Sequence, residues 1–120
     1  MNSNQKFRLF WSIIKHINER LCQNKLEISR IVLFHKYREQ KHFRMMVNGF
    51  YDLRNKRIAL KIDKPLISQI DTLLHELAHA YQIQILGHSG RHDKIGGELY
   101  RKFLKETDSI LKISLKKEAK

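Results

Sequence analysis

The chain is poor in residues that cross-link or interrupt a fold, with one cysteine, one proline and five glycines among 120 residues. The single cysteine, Cys22, excludes both an internal disulfide and a Cys-x-x-Cys metal ribbon. Scarce proline and glycine argue against linkers and low-complexity segments. Since 42% of the residues are hydrophobic, the sequence predicts one folded domain over residues 1–120, with Cys22 as a buried or half-buried free thiol on the first helix.

Long apolar runs are also missing. No segment approaches the ~20 consecutive apolar residues that a membrane span needs. The apolar-rich residues 7–17 are interrupted by Arg8, Lys15 and His16, and no small-residue cleavage site follows them, so we expect no secretory signal. A lone free thiol fits a reducing compartment. The sequence therefore predicts a cytoplasmic protein with no membrane partner.

Acidic residues are scarce, with 12 Asp and Glu against 24 Lys and Arg and a net charge of +12. The imbalance is largest in residues 1–60, which hold 13 basic and 4 acidic residues, whereas residues 61–120 hold 11 and 8. Such asymmetry favours a polyanionic partner, most simply DNA or another nucleic acid, although a solvated basic face is an equal alternative. The candidate contacts are the densest basic residues: Lys36, Arg38, Lys41, Arg44, Arg54, Lys56 and Arg57.

The spacing of apolar residues predicts an α+β fold with the order helix, three strands, helix, helix. Gly49 is expected to mark a bulge or a close approach of two backbones, and residues 52–56 a hairpin turn. The residues from about 116 to 120 are expected to form a frayed tail. The predicted elements are a helix over 4–23, strands over 29–37, 43–51 and 57–62, a helix from 63–65 to a stop at Gly87, and a helix from about 97.

The run His75-Glu76-Leu77-Ala78-His79 carries the strongest functional signal. Residues four apart share one face of a helix, so His75 and His79 can direct two imidazoles at one metal ion. Glu76 lies beside them and can act as a general base. This is the H-E-x-x-H pattern of zinc-dependent peptidases, and the alternative is a chance pair of histidines on a helix surface.

A catalytic zinc ion usually takes three protein ligands and keeps a fourth position open. One more ligand must therefore follow His79. The nearby candidates are His92 and His88, with Asp93 and Glu98 as weaker ones. The remaining histidines, His16, His35 and His42, are distant in sequence, and we assign them no metal role.

The segment Leu74–Phe103, LHELAHAYQIQILGHSGRHDKIGGELYRKF, resembles the core of the SprT-like (Spartan-type) zinc metallopeptidase domain. The resemblance covers about residues 5–105, and its specificity lies almost wholly in residues 75–92. In bacterial members the last ligand follows the second by thirteen residues, which favours His92 over His88. The resemblance implies a zincin-like minimal fold: an N-terminal helix, a three-stranded antiparallel sheet, the H-E-x-x-H helix and a C-terminal helix.

Two features depart from that family. An aromatic residue usually stands four positions after the third histidine, whereas this chain has Gly96, and Ile95 or Leu99 is expected to fill the space. Many bacterial members also carry a C-terminal cysteine-rich zinc ribbon, and no such ribbon is present in this sequence. The resemblance therefore implies a minimal catalytic domain.

The leading hypothesis is a zinc endopeptidase in which Glu76 is the general base and His75, His79 and His92 bind Zn²⁺. The resemblance implies substrates among DNA-associated proteins. The chain also offers Asp71 as an acceptor that orients a ligand imidazole, and Tyr81 or Tyr100 for the oxyanion, although ordinary surface and core roles are equal or better alternatives. The alternative functions are a nucleic-acid-binding module with a structural or absent metal, and a zinc hydrolase of another class.

Overall fold

A computed structural model describes residues 1–35, 48–87 and 94–119, with side chains in the last range at 94–108 and 110. The predicted α+β class and element order are confirmed within these ranges. The last helix begins three residues earlier than predicted and extends through most of the segment expected to fray. The elements are α1 (Ser3–Leu21), β1 (Arg30–Phe34), β2 (Gly49–Asp52), β3 (Arg57–Lys61), α2 (Leu66–Gln84) and α3 (Lys94–Ala119).

The three strands form one mixed sheet in the order β1-β3-β2. β2 and β3 are antiparallel, with Gly49 opposite Leu60 and Asp52 opposite Arg57. β1 runs parallel to β3, with Arg30 opposite Arg57, so the expectation of an antiparallel sheet was wrong for β1. Apolar alternation indicates which face a strand buries but not the direction of its neighbour. Residues 35–56 separate β1 from β3, which is long enough for the crossover that parallel pairing requires.

The hairpin between β2 and β3 confirms the predicted turn. The carboxylate of Asp52 accepts the backbone N–H groups of Arg54 and Asn55, at 3.1 and 3.3 Å, and the side-chain amide of Asn55 at 2.9 Å. Lys56 adopts a left-handed conformation, with φ 53°. An aspartate at the start of a turn commonly stabilises it in this way. In the strand order β1-β3-β2, β2 is an edge of the sheet formed by the described residues.

α1 packs a stripe of five apolar side chains into the core: Leu9, Phe10, Ile13, Ile14 and Ile17. Asn2 caps its N-terminus through a reciprocal hydrogen-bonded box with Gln5. Cys22 forms the C-terminal cap and is buried as a free thiol, as predicted. Burial raises the pKa of this thiol to about 11, because an apolar environment disfavours the thiolate.

α2 is the central helix, and its core face is completely buried at Leu73, Leu74 and Leu77. Pro65 is the N-terminal cap residue, where its missing N–H leaves no helical bond unmade. Gly87 has a φ of +69°, which suits the predicted helix stop. Among the described residues, no helix has the length and apolar character to cross a bilayer.

β2 crosses α2 at very short range, and Gly49 makes this possible. A Cβ atom on Gly49 would lie 2.6 Å from the carbonyl oxygen of Ala59 and 2.6 Å from Cγ2 of Thr72. The first neighbour is backbone in β3 and the second belongs to α2. The prediction of a close-approach glycine is therefore confirmed, and any larger residue must push β2 away from α2.

Substitution of this glycine tests the contact. Gly49→Ala is expected to lower the free energy of unfolding by about 2 kcal/mol or more, because overpacking a close contact typically costs 1–3 kcal/mol. Urea denaturation followed by circular dichroism measures the change. The matched control is Gly97→Ala in α3, where the nearest atom to a new Cβ is the Arg101 guanidinium at 3.5 Å. The control should be neutral or slightly stabilising, and equal effects of both substitutions would contradict the assignment.

The buried thiol gives a chemical prediction. At pH 8 the pKa of about 11 leaves roughly 100-fold less thiolate on Cys22 than an unfolded chain with the ordinary value has. The native protein should therefore react with Ellman's reagent at least that much more slowly than the protein in 6 M guanidinium. Cys22→Ala gives the background. A native rate within a few-fold of the unfolded rate would show that Cys22 is accessible.

Candidate active site

α2 directs His75 and His79 away from its buried leucines. His75 and His79 are one turn apart and both half-buried. The His75 side chain is 45% exposed, whereas the Nδ1 atom of His79 is buried. Leu74, Leu77 and Ala78 pack into the core and so fix the rotation of the helix about its axis. The predicted common face for the two imidazoles follows from this geometry.

Glu76 lies against the edge strand. Its carboxylate accepts a hydrogen bond from the backbone N–H of Tyr51 in β2. Burial raises the pKa of Glu76 to about 7, and the hydrogen bond from Tyr51 opposes this rise. The carboxyl group thus stands between α2 and β2 in a weakly hydrated position, fixed on one side by a backbone donor.

Two side chains surround the imidazole of His75. The ring of Tyr100, from α3, stacks on it with centroids 3.8 Å apart and planes 8° from parallel. Oδ2 of Asp71 lies 3.6 Å from Nε2 of His75, which is longer than a hydrogen bond. The Tyr100 hydroxyl donates to Oδ1 of Asp71. Asp71, His75 and Tyr100 therefore form one cluster across α2 and α3.

The two candidate tyrosines differ in position. Tyr81 packs edge-on against Phe103 in the core, with ring centroids 6.2 Å apart. Tyr100 lies beside His75, and burial followed by its contacts with Asp71 raises the pKa of its phenol to about 12. Tyr100 is therefore a neutral hydrogen-bond donor at neutral pH. Tyr100 therefore stacks on a residue of the motif, whereas Tyr81 packs against a core residue of α3.

The candidate third ligands lie mostly outside the described residues. His92, His88 and Asp93 fall in residues 88–93, between the end of α2 and the start of α3. Glu98 is described and is an exposed residue of α3. Within residues 1–35, 48–87 and 94–119, no three His, Cys, Asp or Glu side chains come together as a group able to hold a metal. The described part therefore supplies two imidazole donors, which suit zinc chemically.

The start of α3 packs tightly on α2. A Cβ atom on Gly96 would lie 3.1 Å from the side-chain amide of Gln82, which is fully buried. Leu99 packs against the core, whereas Ile95 is 40% exposed. Ile95 and Leu99 were the two residues expected to fill the space left by an aromatic residue at position 96. Leu99 is the one that packs into apolar surroundings.

The described basic candidates are mostly paired with acidic side chains. Lys56 forms an ion pair with Glu27, and Arg57 contacts the Asp52 carboxylate at 3.1 Å. Arg54 is exposed in the hairpin turn. The other candidates, Lys36, Arg38, Lys41 and Arg44, lie outside the described residues.

The remaining histidines are separate from this face of α2. Nε2 of His16 lies 3.0 Å from the carboxylate of Glu106, so that it links α1 to α3. His35 is exposed immediately after β1. His42 lies outside the described residues.

The contact between Glu76 and Tyr51 was not anticipated from the sequence, because 25 positions separate the two residues. The available signal was Gly49, two residues before Tyr51, which marked β2 as a strand that another backbone approaches closely.

Comparisons of the chain with protein-family models, with curated proteins and with solved structures find no match. Among the described residues, the features that bear on function are the chemistry of the α2 face and the elements packed around it.

The burial of Glu76 predicts a pH-dependent stability difference in metal-free protein. A carboxyl whose pKa rises on folding from 4.5 to about 7 stabilises the folded state below pH 4.5, and this contribution is lost as the pH rises through 7. Glu76→Gln removes the ionisation. At pH 8 the variant should be more stable than the wild type by roughly 1–3 kcal/mol, with a smaller difference at pH 5.

Urea denaturation at both pH values, with a chelator present, measures this difference. Glu98→Gln, an exposed position on α3, is the matched control and should change stability by less than about 0.5 kcal/mol. A Glu76→Gln protein that is less stable than the wild type at pH 8 would contradict a buried, weakly hydrated carboxyl.

Proposed function

We propose that this protein is a zinc-dependent endopeptidase of SprT-like type that hydrolyses peptide bonds, with Glu76 as general base. One observation carries the proposal. Two imidazoles one turn apart share an accessible face of α2, and the carboxyl group between them in sequence is held against the edge strand by the Tyr51 backbone. This places the proposed metal ligands and the proposed base on α2, next to β2, the strand proposed to bind the peptide.

The donor set fits zinc. His75 and His79 are nitrogen donors at the spacing of a helix-borne metal pair. His92 is assigned as the third ligand from its place in the sequence, with His88 as the alternative. Three protein ligands leave one position for water or substrate. When bound, zinc supplies Lewis acidity toward water and the scissile carbonyl.

Glu76 has the position of a proton carrier. The Tyr51 N–H interacts with its carboxylate, and the same carboxylate would hold the attacking water. Partial exclusion of solvent makes the carboxylate a stronger base than an exposed glutamate. Glu76 then takes the proton from water and delivers it to the departing amine.

The peptide would bind along β2. This strand forms an edge of the sheet, and an extended peptide can add to such an edge through backbone hydrogen bonds. Pairing of this kind recognises the backbone along a chain rather than a chain terminus, which favours endopeptidase action over removal of terminal residues. Because Tyr51 belongs to this strand, a peptide beside it would lie close to Glu76.

The substrates are assigned to DNA-associated proteins on two grounds, the resemblance of residues 75–92 and the charge of +12. Two of the basic candidates, Lys56 and Arg57, are already paired with carboxylates. Nucleic-acid contact therefore rests on Arg54 and on Lys36, Arg38, Lys41 and Arg44. The alternative, a nucleic-acid-binding module with a structural or absent metal, predicts nucleic-acid binding without cleavage.

Glu76→Gln tests the enzyme directly. Zinc content and the cleavage of casein and of histones are measured for wild type and variant, with and without single-stranded DNA. The variant should retain zinc and lose at least about 100-fold in rate, because a general base typically contributes 10²–10⁴-fold. DNA should stimulate the wild type. Equal cleavage by the two proteins would remove Glu76 as the base, and zinc binding without any cleavage would favour the nucleic-acid-binding alternative.

The third ligand is tested by comparing His92→Ala with His88→Ala. His92→Ala should weaken zinc binding by on the order of 100-fold or more, since even residues that only support a ligand cost 10–100-fold. His88→Ala should change it little. Competition with a chromophoric chelator measures both. If only His88→Ala loses zinc, His88 and not His92 is the third ligand. If both variants lose zinc to a similar extent, the site is closed and structural.

A further inference from the structure

We propose that Tyr100 is a positioning residue for His75, holding its imidazole in the orientation that binds metal. The inference rests on the proposed function only in taking His75 as a metal ligand. It assigns a role in the site to α3, a helix that contributes no residue to the H-E-x-x-H motif.

The stacking contact fixes the plane of the imidazole. The rings of Tyr100 and His75 lie 3.8 Å apart and within 8° of parallel. Rotation of His75 about its Cβ–Cγ bond would tilt the imidazole into the phenol ring. The His75 side chain is still 45% exposed with Tyr100 in place, so the stacked phenol ring is an important part of the packing that holds the imidazole.

The hydroxyl of Tyr100 also orients Asp71, the carboxylate next to His75. It donates to Oδ1 of Asp71, while Oδ2 of Asp71 faces Nε2 of His75 at 3.6 Å. Asp71 stands one turn before His75 on α2, and its side chain is 49% exposed. Without the hydroxyl, this carboxylate would be free to turn toward solvent. Tyr100 therefore orients both the ring and the carboxylate beside it.

Tyr100 is itself well placed to be rigid. It packs against the core, three residues before the fully buried Phe103. The α3 backbone is also held close to α2 at Gly96. A ligand held in place before the metal arrives loses less conformational freedom on binding, so the affinity is higher.

The experiment compares Tyr100→Phe and Tyr100→Leu with Tyr81→Phe, a control that removes a hydroxyl from a core tyrosine on α2. Zinc affinity is measured by chelator competition, and the His75 ring proton shifts of the metal-free proteins are measured by NMR. Tyr100→Leu should lower zinc affinity by roughly 10–100-fold and abolish the ring-current shift of His75. Tyr100→Phe should keep that shift and lose less affinity, and Tyr81→Phe should change neither quantity.

The outcomes separate the two proposals. If the wild type binds zinc and Tyr100→Leu binds it within twofold of the wild type, or more tightly, the positioning role is overturned and the proposed function stands. If the wild type binds no zinc, the proposed function fails and this inference fails with it. If Tyr100→Leu does not fold, the comparison of Tyr100→Phe with Tyr81→Phe decides. The positioning role requires that loss of the Tyr100 hydroxyl weakens zinc binding and that loss of the Tyr81 hydroxyl does not.

Discussion

The close packing of β2 on α2 is the contact on which the candidate site depends. Gly49 lets the strand approach the helix to a distance that a single added carbon would prevent. Two residues farther along, the backbone N–H of Tyr51 meets the carboxylate of Glu76. A wider separation would expose Glu76 to water and remove its backbone donor. The environment of the proposed base is therefore set by a glycine that has no chemistry of its own.

One side of α2 stabilises the fold, and the other side carries the candidate metal ligands. Its leucines are completely buried and hold the helix in one rotation. That rotation keeps His75 and His79 on a half-exposed face, where Tyr100 of α3 covers His75 in part. The packing that stabilises the fold therefore also orients the two imidazoles toward the half-exposed face. A helix able to roll by even a quarter turn would bury one histidine and lose the shared face.

The sequence predicted the helices, the hairpin turn and the close-approach glycine, because each depends on spacing or on one residue's backbone preference. It predicted the wrong direction for β1, since alternation says nothing about the neighbouring strand. It also missed the contacts of Glu76 with Tyr51 and of His75 with Tyr100, and the pairing of Lys56 with Glu27. These contacts arise only when distant segments pack together. The prediction for His92 and His88 concerns residues outside those that the structure describes.

X-ray absorption at the zinc edge of protein reconstituted with one equivalent of zinc tests the central claim most directly. The account predicts stoichiometric zinc with three imidazole nitrogens at ~2.0–2.1 Å and one oxygen donor from solvent. A first shell with four protein ligands would describe a closed structural site. Zinc held by fewer than two imidazoles, or not held at all, would contradict the claim that the exposed face of α2 is a metal centre.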